Sequence, residues 1–197
     1  MRDVSVASCR YAGIAISGRD ATVRDVESTD NVAGVYVRSA AARARILDST
    51  IHGNDVMSDS ACGGPGDTGA CGILVHGSDA EIAGNTISGS DAYSCEYVRD
   101  GAAVEIFGGS GNCIHHNVAA DNDAFAELGE IGTQGNTIAY DVVRSGLTES
   151  RFVVTRGGAE VTRGPVIGTR VYGLSVPVDG DGDGLDQRDM GAYELRP

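Results

Sequence analysis

The residues Gly34-Val-Tyr-Val37, with a second aliphatic strand centred on Ile46, decide the fold because this phrase returns along the chain. Most copies open on glycine or alanine, and all continue with alternating aliphatic residues and lead through a polar turn to the second strand. The other copies are Gly13-Ile-Ala-Ile16, Gly72-Ile-Leu-Val75, Val104-Glu-Ile106 and Ala126-Glu-Leu128, with second strands centred on Val23, Ile82, Ile114 and Ile138. Two strands per repeat without a helical period indicate a β-solenoid.

The spacing of the copies supports one solenoid with two loop insertions. The first strands are 21 residues apart from Ile14 to Val35 and 22 apart from Ile106 to Leu128, and 38 and 31 apart between them. The second strands are 23, 36, 32 and 24 residues apart, so both strands share one period and the same two insertions. We therefore predict insertions at about 52–71 and 88–101, projecting near the same edge.

Alternation within the first strands predicts which side chains point inward. Ile14 and Ile16 are expected in the core, whereas Tyr36 and Leu74 are expected on the outer face. Asparagine and aspartate recur at the turns, where their side chains bond neighbouring backbone groups and tolerate left-handed conformations. We expect these turn residues to stack from coil to coil: Asp25, Asp48, Asn85, Asn117 and Asp141.

With these repeats, residues 4–145 resemble the right-handed parallel β-helix proteins of the pectate-lyase-like superfamily, many of which act on or bind acidic polysaccharides. The end of the chain, Asp179-Gly-Asp-Gly-Asp-Gly184 followed by Asp189-Met-Gly-Ala-Tyr-Glu194, is similar to the C-terminus of many secreted bacterial β-helix proteins. The resemblance implies an all-β, right-handed parallel β-helix with coils over 1–145. It further implies an irregular terminal coil and an Asp-rich cap over 146–197.

Charge and hydropathy restrict the classes of partner that the protein is expected to bind. The net charge is −13, and all 15 basic residues are arginine. Such a surface disfavours nucleic acid and anionic membranes. We expect no membrane span, and residues 1–10 contain no signal-peptide core. No cap precedes Val4, so we expect either a fragment or a cap supplied by a partner chain. The resemblance implies a secreted or cell-surface protein.

The cysteines leave two interpretations open. Their spacing does not match a metal-binding pattern of CxxC pairs. Cys62 and Cys71 flank the loop Gly63–Gly69, which a disulfide between them would close in an oxidising compartment. The alternative is that all of the cysteines are free thiols: Cys9, Cys62, Cys71, Cys95 and Cys113.

Glu105 and Glu127 are the candidate catalytic residues. They lie 22 residues apart at equivalent outward positions, so stacking of adjacent coils at about 4.8 Å places one carboxylate above the other. A cation, an arginine or a shared proton must relieve their repulsion, and a shared proton raises one pKa as general-acid chemistry requires. The spacing is near that of retaining glycosidases. A solvated surface pair and a calcium-binding ladder are the alternatives.

Polysaccharide is the expected partner, and the expected activity is that of a glycoside hydrolase or a polysaccharide lyase. The lyases of the superfamily use calcium and a lysine or arginine base. This chain has no lysine, so Arg38, Arg99 or Arg144 would have to serve, and arginine is a poor base. The candidate substrate-binding residues are Tyr36, His76, Tyr97, Arg99, Asp121 and Asp123.

Calcium is the expected cofactor. Asp179, Asp181 and Asp183 match alternate ligand positions of a calcium loop, and Asp189 lies nearby, although Met190 stands where an EF-hand has its glutamate. A non-catalytic adhesion module, stabilised by calcium and binding carbohydrate, is therefore the alternative function. His115 and His116 are adjacent on a second strand, so the alternation of side chains predicts one ring facing inward and one facing outward.

Overall fold

The computed structural model describes residues 1–60, 62, 68–95, 98–129 and 132–144, together with the backbone of the strands at 151–156, 159–160 and 170–172. Its regular secondary structure is β-strand throughout these residues. Six strands of the described chain carry the repeated phrase or stack on it, and they define one face of a column.

The strands of the first three coils are short. They are β1 (Arg2–Ala7), β2 (Ala12–Ile16), β3 (Thr22–Thr29), β4 (Ala33–Val37), β5 (Arg45–Leu47), β6 (Thr50–His52), β7 (Met57–Asp59), β8 (Thr68–Gly69), β9 (Cys71–Val75), β10 (Glu81–Ala83) and β11 (Thr86–Ser88).

The remaining strands continue the same order. They are β12 (Ala92–Ser94), β13 (Val98–Asp100), β14 (Ala102–Phe107), β15 (Cys113–His115), β16 (Val118–Ala120), β17 (Ala124–Gly129), β18 (Thr137–Ala139), β19 (Val142–Arg144), β20 (Arg151–Arg156), β21 (Ala159–Glu160) and β22 (Arg170–Tyr172).

The strands stack in parallel from coil to coil. Sheet I has the order β2-β4-β9-β14-β17-β20, with β21 added antiparallel at its end. Sheet II consists of two parallel stacks, β5-β10-β15-β18-β22 and β6-β11-β16-β19, joined through β3, with β1 paired to β3. The solenoid prediction is confirmed, but a regular coil has three strands. The third strand, as in β6 and β11, was missed because it follows the second after only two residues.

The interior of the column is a stack of aliphatic side chains. Ile14 and Ile16 are buried as predicted, and each coil adds further buried residues from both sheets. Fully buried isoleucines include Ile46, Ile51, Ile73, Ile82, Ile87, Ile106 and Ile138. Burying one such side chain stabilises the fold by about 1.5–3 kcal/mol. Because every coil buries further aliphatic side chains, the stabilisation from the core increases with each coil.

Gly34 shows why the repeated phrase opens on a small residue. A Cβ at this position would lie 2.5 Å from Cγ2 of Ile51 and 2.7 Å from the carbonyl oxygen of Gly72. The start of β4 therefore packs directly on β6, the third strand of its own coil. In the last coils Ala103 and Phe125 occupy this position and are buried in the core.

Buried polar side chains form ladders at the turns. Asn85 Nδ2 donates to Asn117 Oδ1 at 2.9 Å, and Asn117 Nδ2 donates to Asp141 Oδ1 at 2.8 Å. The predicted stacking is confirmed for these three residues. Asp25 and Asp48 are not in the ladder: each precedes it by one residue, with φ of 52° and 48°, and the ladder position beside Asp48 is held by Ser49.

The two insertions are hairpins that leave the column at one corner, as predicted. The strands β7 and β8 pair antiparallel between β6 and β9, and β12 and β13 pair antiparallel between β11 and β14. A disulfide joins Cys62 to Cys95, which links the two hairpins. Cys71 is a free, buried thiol, so the suggested Cys62–Cys71 disulfide is wrong. Sequence spacing favoured the nearer cysteine, whereas stacking brings together residues 33 apart.

Sheet pairing continues past residue 145. Strand β20 pairs with β17, and β22 pairs with β18. The division of the chain into coils over 1–145 and a cap over 146–197 stays a prediction. The irregular cap itself lies outside the described residues.

Candidate functional site

Glu105 and Glu127 are direct neighbours on the outer face of sheet I. They are paired residues of the parallel strands β14 and β17, and Glu105 is also paired with Leu74 of β9. Leu74 is paired in turn with Tyr36 of β4. The predicted outward column is therefore present, and the two glutamates lie on adjacent strands, whose usual spacing is roughly 4.8 Å.

The two glutamates differ in exposure. Glu105 is only 7% exposed, and Cys71 and Leu74 beside it are 2% and 5% exposed. Glu127 is partly exposed. Cys71 and Leu74 lie on β9, which is paired with the strand of Glu105, so this part of an outer sheet face is buried. One carboxyl of the pair is enclosed and the other is accessible.

Burial determines the protonation of Glu105. Its pKa lies well above the usual range, chiefly because burial disfavours the charged form, and then because Glu127 and Asp100 add negative charge nearby. A hydrogen bond from the Cys71 thiol acts in the opposite direction. The pKa of Cys71 is itself raised by burial and by Glu105. Of the two groups in contact, the Glu105 carboxyl therefore keeps its proton to a higher pH than an ordinary glutamate.

A row of aromatic rings runs across the coils beside the glutamate pair. Ring centroids are separated by 5.9 Å from Tyr11 to Tyr36, by 5.3 Å from Tyr36 to His76 and by 6.4 Å from His76 to Phe107. Tyr11 is 39% exposed. The guanidinium carbon of Arg38 lies 5.7 Å from the centroid of the Tyr36 ring. We call these four rings the aromatic row.

The remaining predicted substrate-binding residues lie at the hairpins and turns. Arg99 donates to Asp91 Oδ1 at 2.8 Å within the hairpin β12–β13. Asp121 occupies a turn with φ of 55°, and the amide of Asp123 donates to the carbonyl oxygen of Ser90 at 3.0 Å. Tyr97 lies outside the described residues. Tyr36 and His76 belong to the aromatic row, and the role of all six stays a prediction.

Three residues of this neighbourhood were not singled out as site residues from sequence. Tyr11 lies just before β2, Cys71 opens β9, and Asp100 closes β13. Only the stacking of coils brings Cys71 beside Glu105. The register of the repeat could have revealed this neighbour. Cys71 and Ala102 are equivalent positions of adjacent coils, and each lies three residues before the outward residue of its own strand, Leu74 or Glu105.

No metal centre is formed by the residues that the structure describes: they contain no group of three or more His, Cys, Asp or Glu side chains arranged to hold an ion. The predicted calcium ligands Asp179, Asp181, Asp183 and Asp189 lie outside the described residues. Calcium binding by the tail stays a prediction.

The histidine pair lies on the opposite sheet. His115 Nδ1 is 2.9 Å from His116 Nδ1, and His115 Nε2 is 3.5 Å from Glu81 Oε1. Both rings are outside the core, so the expectation of one inward ring is wrong. Strand β15 ends at His115, and His116 has a positive φ of 56° that turns the chain before the alternation continues.

Comparison with known proteins gives one match. A family model described as right handed beta helix region matches residues 1–162. No curated protein and no solved structure matches the chain. Among the described residues there is no helix long and apolar enough to cross a membrane.

Proposed function

The chain belongs to the right-handed β-helix family, and on that premise we propose that it cleaves a polysaccharide on the outer face of sheet I, with Glu105 and Glu127 as its catalytic pair. One observation carries the proposal. Two glutamates are paired in register on adjacent strands, and one of them is buried while the other is accessible. Glycoside hydrolysis usually requires two carboxyl groups whose environments give them different pKa values, so that one is protonated while the other is ionised.

The proposed chemistry assigns one role to each glutamate. Protonated Glu105 donates its proton to the glycosidic oxygen as the bond to the anomeric carbon breaks. The Glu127 carboxylate attacks that carbon and forms a glycosyl ester. Glu105, now ionised, then removes a proton from water, which hydrolyses the ester and restores both groups. A spacing of roughly 4.8 Å between the strands suits this double displacement, so we expect retention of configuration.

A lyase mechanism has less support among the described residues. Arg99 is paired with Asp91, and Arg38 lies over the ring of Tyr36. The side chain of Arg144, the third candidate base, is not described. Arginine is always charged at ordinary pH, and an ion pair holds it further in that form.

The experiment measures new reducing ends released from a panel of polysaccharides. Wild-type protein is compared with Glu105→Gln and Glu127→Gln, and with Glu27→Gln as a control, because Glu27 lies on sheet II beside His52. We expect each of the first two variants to lose at least about a hundredfold in kcat/KM, the range for one acid–base group. Full activity in both folded variants would refute the assignment.

Carbohydrate binding without cleavage is the second candidate. The aromatic row favours it, because aromatic side chains on an outer face can pack against sugars without any catalytic group, and these four meet edge to face along the column. In that case wild-type protein retains a polysaccharide on an affinity gel, releases no reducing ends, and binds less after Tyr36→Ala. We further propose secretion, which the Cys62–Cys95 disulfide supports, and calcium binding by Asp179, Asp181, Asp183 and Asp189.

A further inference from the structure

We infer that Asp141 is a pH-sensitive switch in the coil of β17, β18 and β19: as a neutral acid it completes a buried ladder of hydrogen bonds, and as a carboxylate it breaks that ladder. The coil also carries Glu127 on β17, but the inference does not depend on the proposed cleavage reaction. It follows from the position of one side-chain oxygen, Asp141 Oδ2, in a ladder whose two preceding members are asparagine.

Each of these two asparagines uses both ends of its amide. Oδ1 of Asn117 accepts hydrogen bonds from the backbone N–H of Asn85 at 3.0 Å and from Asn85 Nδ2 at 2.9 Å. Asn117 Nδ2 donates to the carbonyl oxygen of Ile82, in the preceding coil, at 3.0 Å. Asn85 Nδ2 likewise donates to the carbonyl oxygen of Ile46 at 3.0 Å. The donated bond thus joins each turn to a strand of the coil before it.

Asp141 has the same orientation but carries a different chemical group. Its Oδ1 accepts from the backbone N–H of Asn117 at 2.7 Å and from Asn117 Nδ2 at 2.8 Å. Oδ2 therefore lies where the preceding members have the donating nitrogen. The side chain is fully buried, and Oδ2 has no hydrogen-bond partner among the described residues. By the register of β10 and β15, the acceptor that corresponds to Ile82 is the carbonyl oxygen of Ile114.

Only the protonated form of Asp141 can replace the missing amide. A carboxylate accepts hydrogen bonds and does not donate them, whereas a carboxylic acid has one O–H donor. With a proton on Oδ2, Asp141 donates to the carbonyl oxygen of Ile114 as Asn117 does to that of Ile82. Without this proton, a buried negative charge faces the negative end of a carbonyl dipole, which is costly in a site closed to water.

The surroundings of Asp141 favour the neutral form. Burial raises the pKa of Asp141 and is the largest effect. Hydrogen bonds from Asn117, and positive charge on His115 and His116 at the end of β15, act in the opposite direction. Cys113, on the same strand, stays uncharged at neutral pH because its pKa is raised, chiefly by burial. Rising pH therefore removes a proton that the folded coil holds more tightly than the unfolded chain does.

A second ladder of the same coil ends on asparagine and provides the comparison. Asn136 Oδ1 accepts from the backbone N–H and from Nδ2 of Asn112, both at 2.9 Å, and Asn136 Nδ2 donates to the carbonyl oxygen of Gly109 at 3.2 Å. Asn136 and Asp141 are both fully buried. The last described members of the two ladders thus differ in one atom, an amide nitrogen or an oxygen, and only Asp141 can titrate.

The test measures chemical denaturation of the full chain between about pH 4 and pH 8, in wild type and in Asp141→Asn. Because the folded-state pKa of Asp141 is raised, its contribution to stability is fully present below the unfolded-state pKa of about 3.9 and is lost as pH rises through the folded-state pKa. The asparagine donates at every pH. The ratio of the two unfolding equilibrium constants should therefore change in favour of Asp141→Asn, by up to about tenfold per pH unit in that interval. Both proteins contain Glu105, so its titration cancels in the ratio.

Two further variants make the result specific to this position. Asn136→Asp places the same acid at the end of the second ladder and should acquire a loss of stability with rising pH. Asp30→Asn removes one charge from an exposed turn residue with φ of 56° and is the control. In wild type, amide exchange protection should fall with pH in β18 and β19 before it falls in β10. A ratio for Asp141→Asn that is constant with pH, or equal to that for Asp30→Asn, would overturn the inference, as would loss of protection that begins in β10.

Discussion

Glu105 combines an outward position with a buried carboxyl. Its position and its partner Glu127 could be predicted, because a spacing of 22 residues matches one coil. Its burial could not be predicted, because the buried residues beside it, Cys71 and Leu74, belong to the preceding coil and are separated from it by an irregular insertion. Alternation gives the face of a strand, and it does not report what covers that face.

Replacing Glu105 by glutamine should change how stability depends on pH. The folded-state pKa of Glu105 is raised above the unfolded value of about 4.3, so the folded protein binds more protons and loses stability as pH rises through this interval. Glu105→Gln lacks this loss, so its stability relative to that of wild type rises as the pH increases above the unfolded-state pKa of Glu105. The gain is about 1.4 kcal/mol for each tenfold difference in proton affinity. Urea denaturation at several pH values measures it.

Glu81→Gln is the control with the opposite sign. A hydrogen bond from Arg45 lowers the pKa of Glu81, so its contribution is present at neutral pH and is lost as pH falls. Parallel curves for wild type and Glu105→Gln would contradict the account of Glu105.

Replacing Cys71 by alanine should shift the pH dependence of cleavage. The thiol donates to Glu105 and favours its ionised form, so its removal raises the pKa of Glu105 further. A proton donor then stays active to higher pH, and the alkaline fall in kcat/KM moves upward. Cys113→Ala, on sheet II, should leave the profile unchanged. A downward movement in Cys71→Ala would show that the thiol does not act on Glu105 in this way.

At the scale of strands and turns, the asparagine ladder shows that local sequence supplies the residue types, whereas the register of the strands decides which of them stack. Asn85, Asn117 and Asp141 were predicted to stack because these residues recur once per coil. Asp25 and Asp48 share the spacing and lie instead in the left-handed turn position. Both positions favour Asn and Asp, so composition alone does not distinguish them; only the register assigned by the buried strands does.

Asn117→Ala should weaken the whole column. Its side chain donates to the carbonyl oxygen of Ile82 at 3.0 Å and to Asp141, and it accepts from the amide and the side chain of Asn85. Loss of these buried bonds should lower the free energy of unfolding by about 3 kcal/mol or more. Thr86→Ala, at an exposed strand position, is the control for chemical denaturation. An equal, small loss in both variants would argue against the ladder as a stabilising element.

The disulfide should tie the hairpins together without being needed for the column. A bond across 33 residues stabilises by about 3–4 kcal/mol in the chain-entropy model, and Cys62→Ser with Cys95→Ser should lose up to this amount. Amide exchange should rise in β7, β8, β12 and β13 and change little in β10. Thiol titration of denatured, unreduced wild type should find three groups, those of Cys9, Cys71 and Cys113. A count of five would contradict the disulfide.

The whole molecule is a column whose repeat brings distant residues into register. Period and aliphatic pattern are local properties, so the solenoid and its insertions were predictable, whereas the disulfide between Cys62 and Cys95 and the contact of Cys71 with Glu105 depend on loops that follow no repeat. The same stacking that extends the core also brings like charges together. In this chain of net charge −13, Glu105 is both buried and stacked beside Glu127, and both conditions raise its pKa.

Carboxyl titration by carbon NMR measures at Glu105 itself whether stacking on Glu127 turns this glutamate into a proton donor. Signals of Glu105 are followed in wild type and in Glu127→Gln, with exposed Glu27 as the internal reference. We predict that Glu105 stays protonated well above the pH at which Glu27 ionises, and that Glu127→Gln lowers its pKa by removing a nearby charge. Ionisation of Glu105 together with Glu27, unaffected by Glu127→Gln, would contradict the claim.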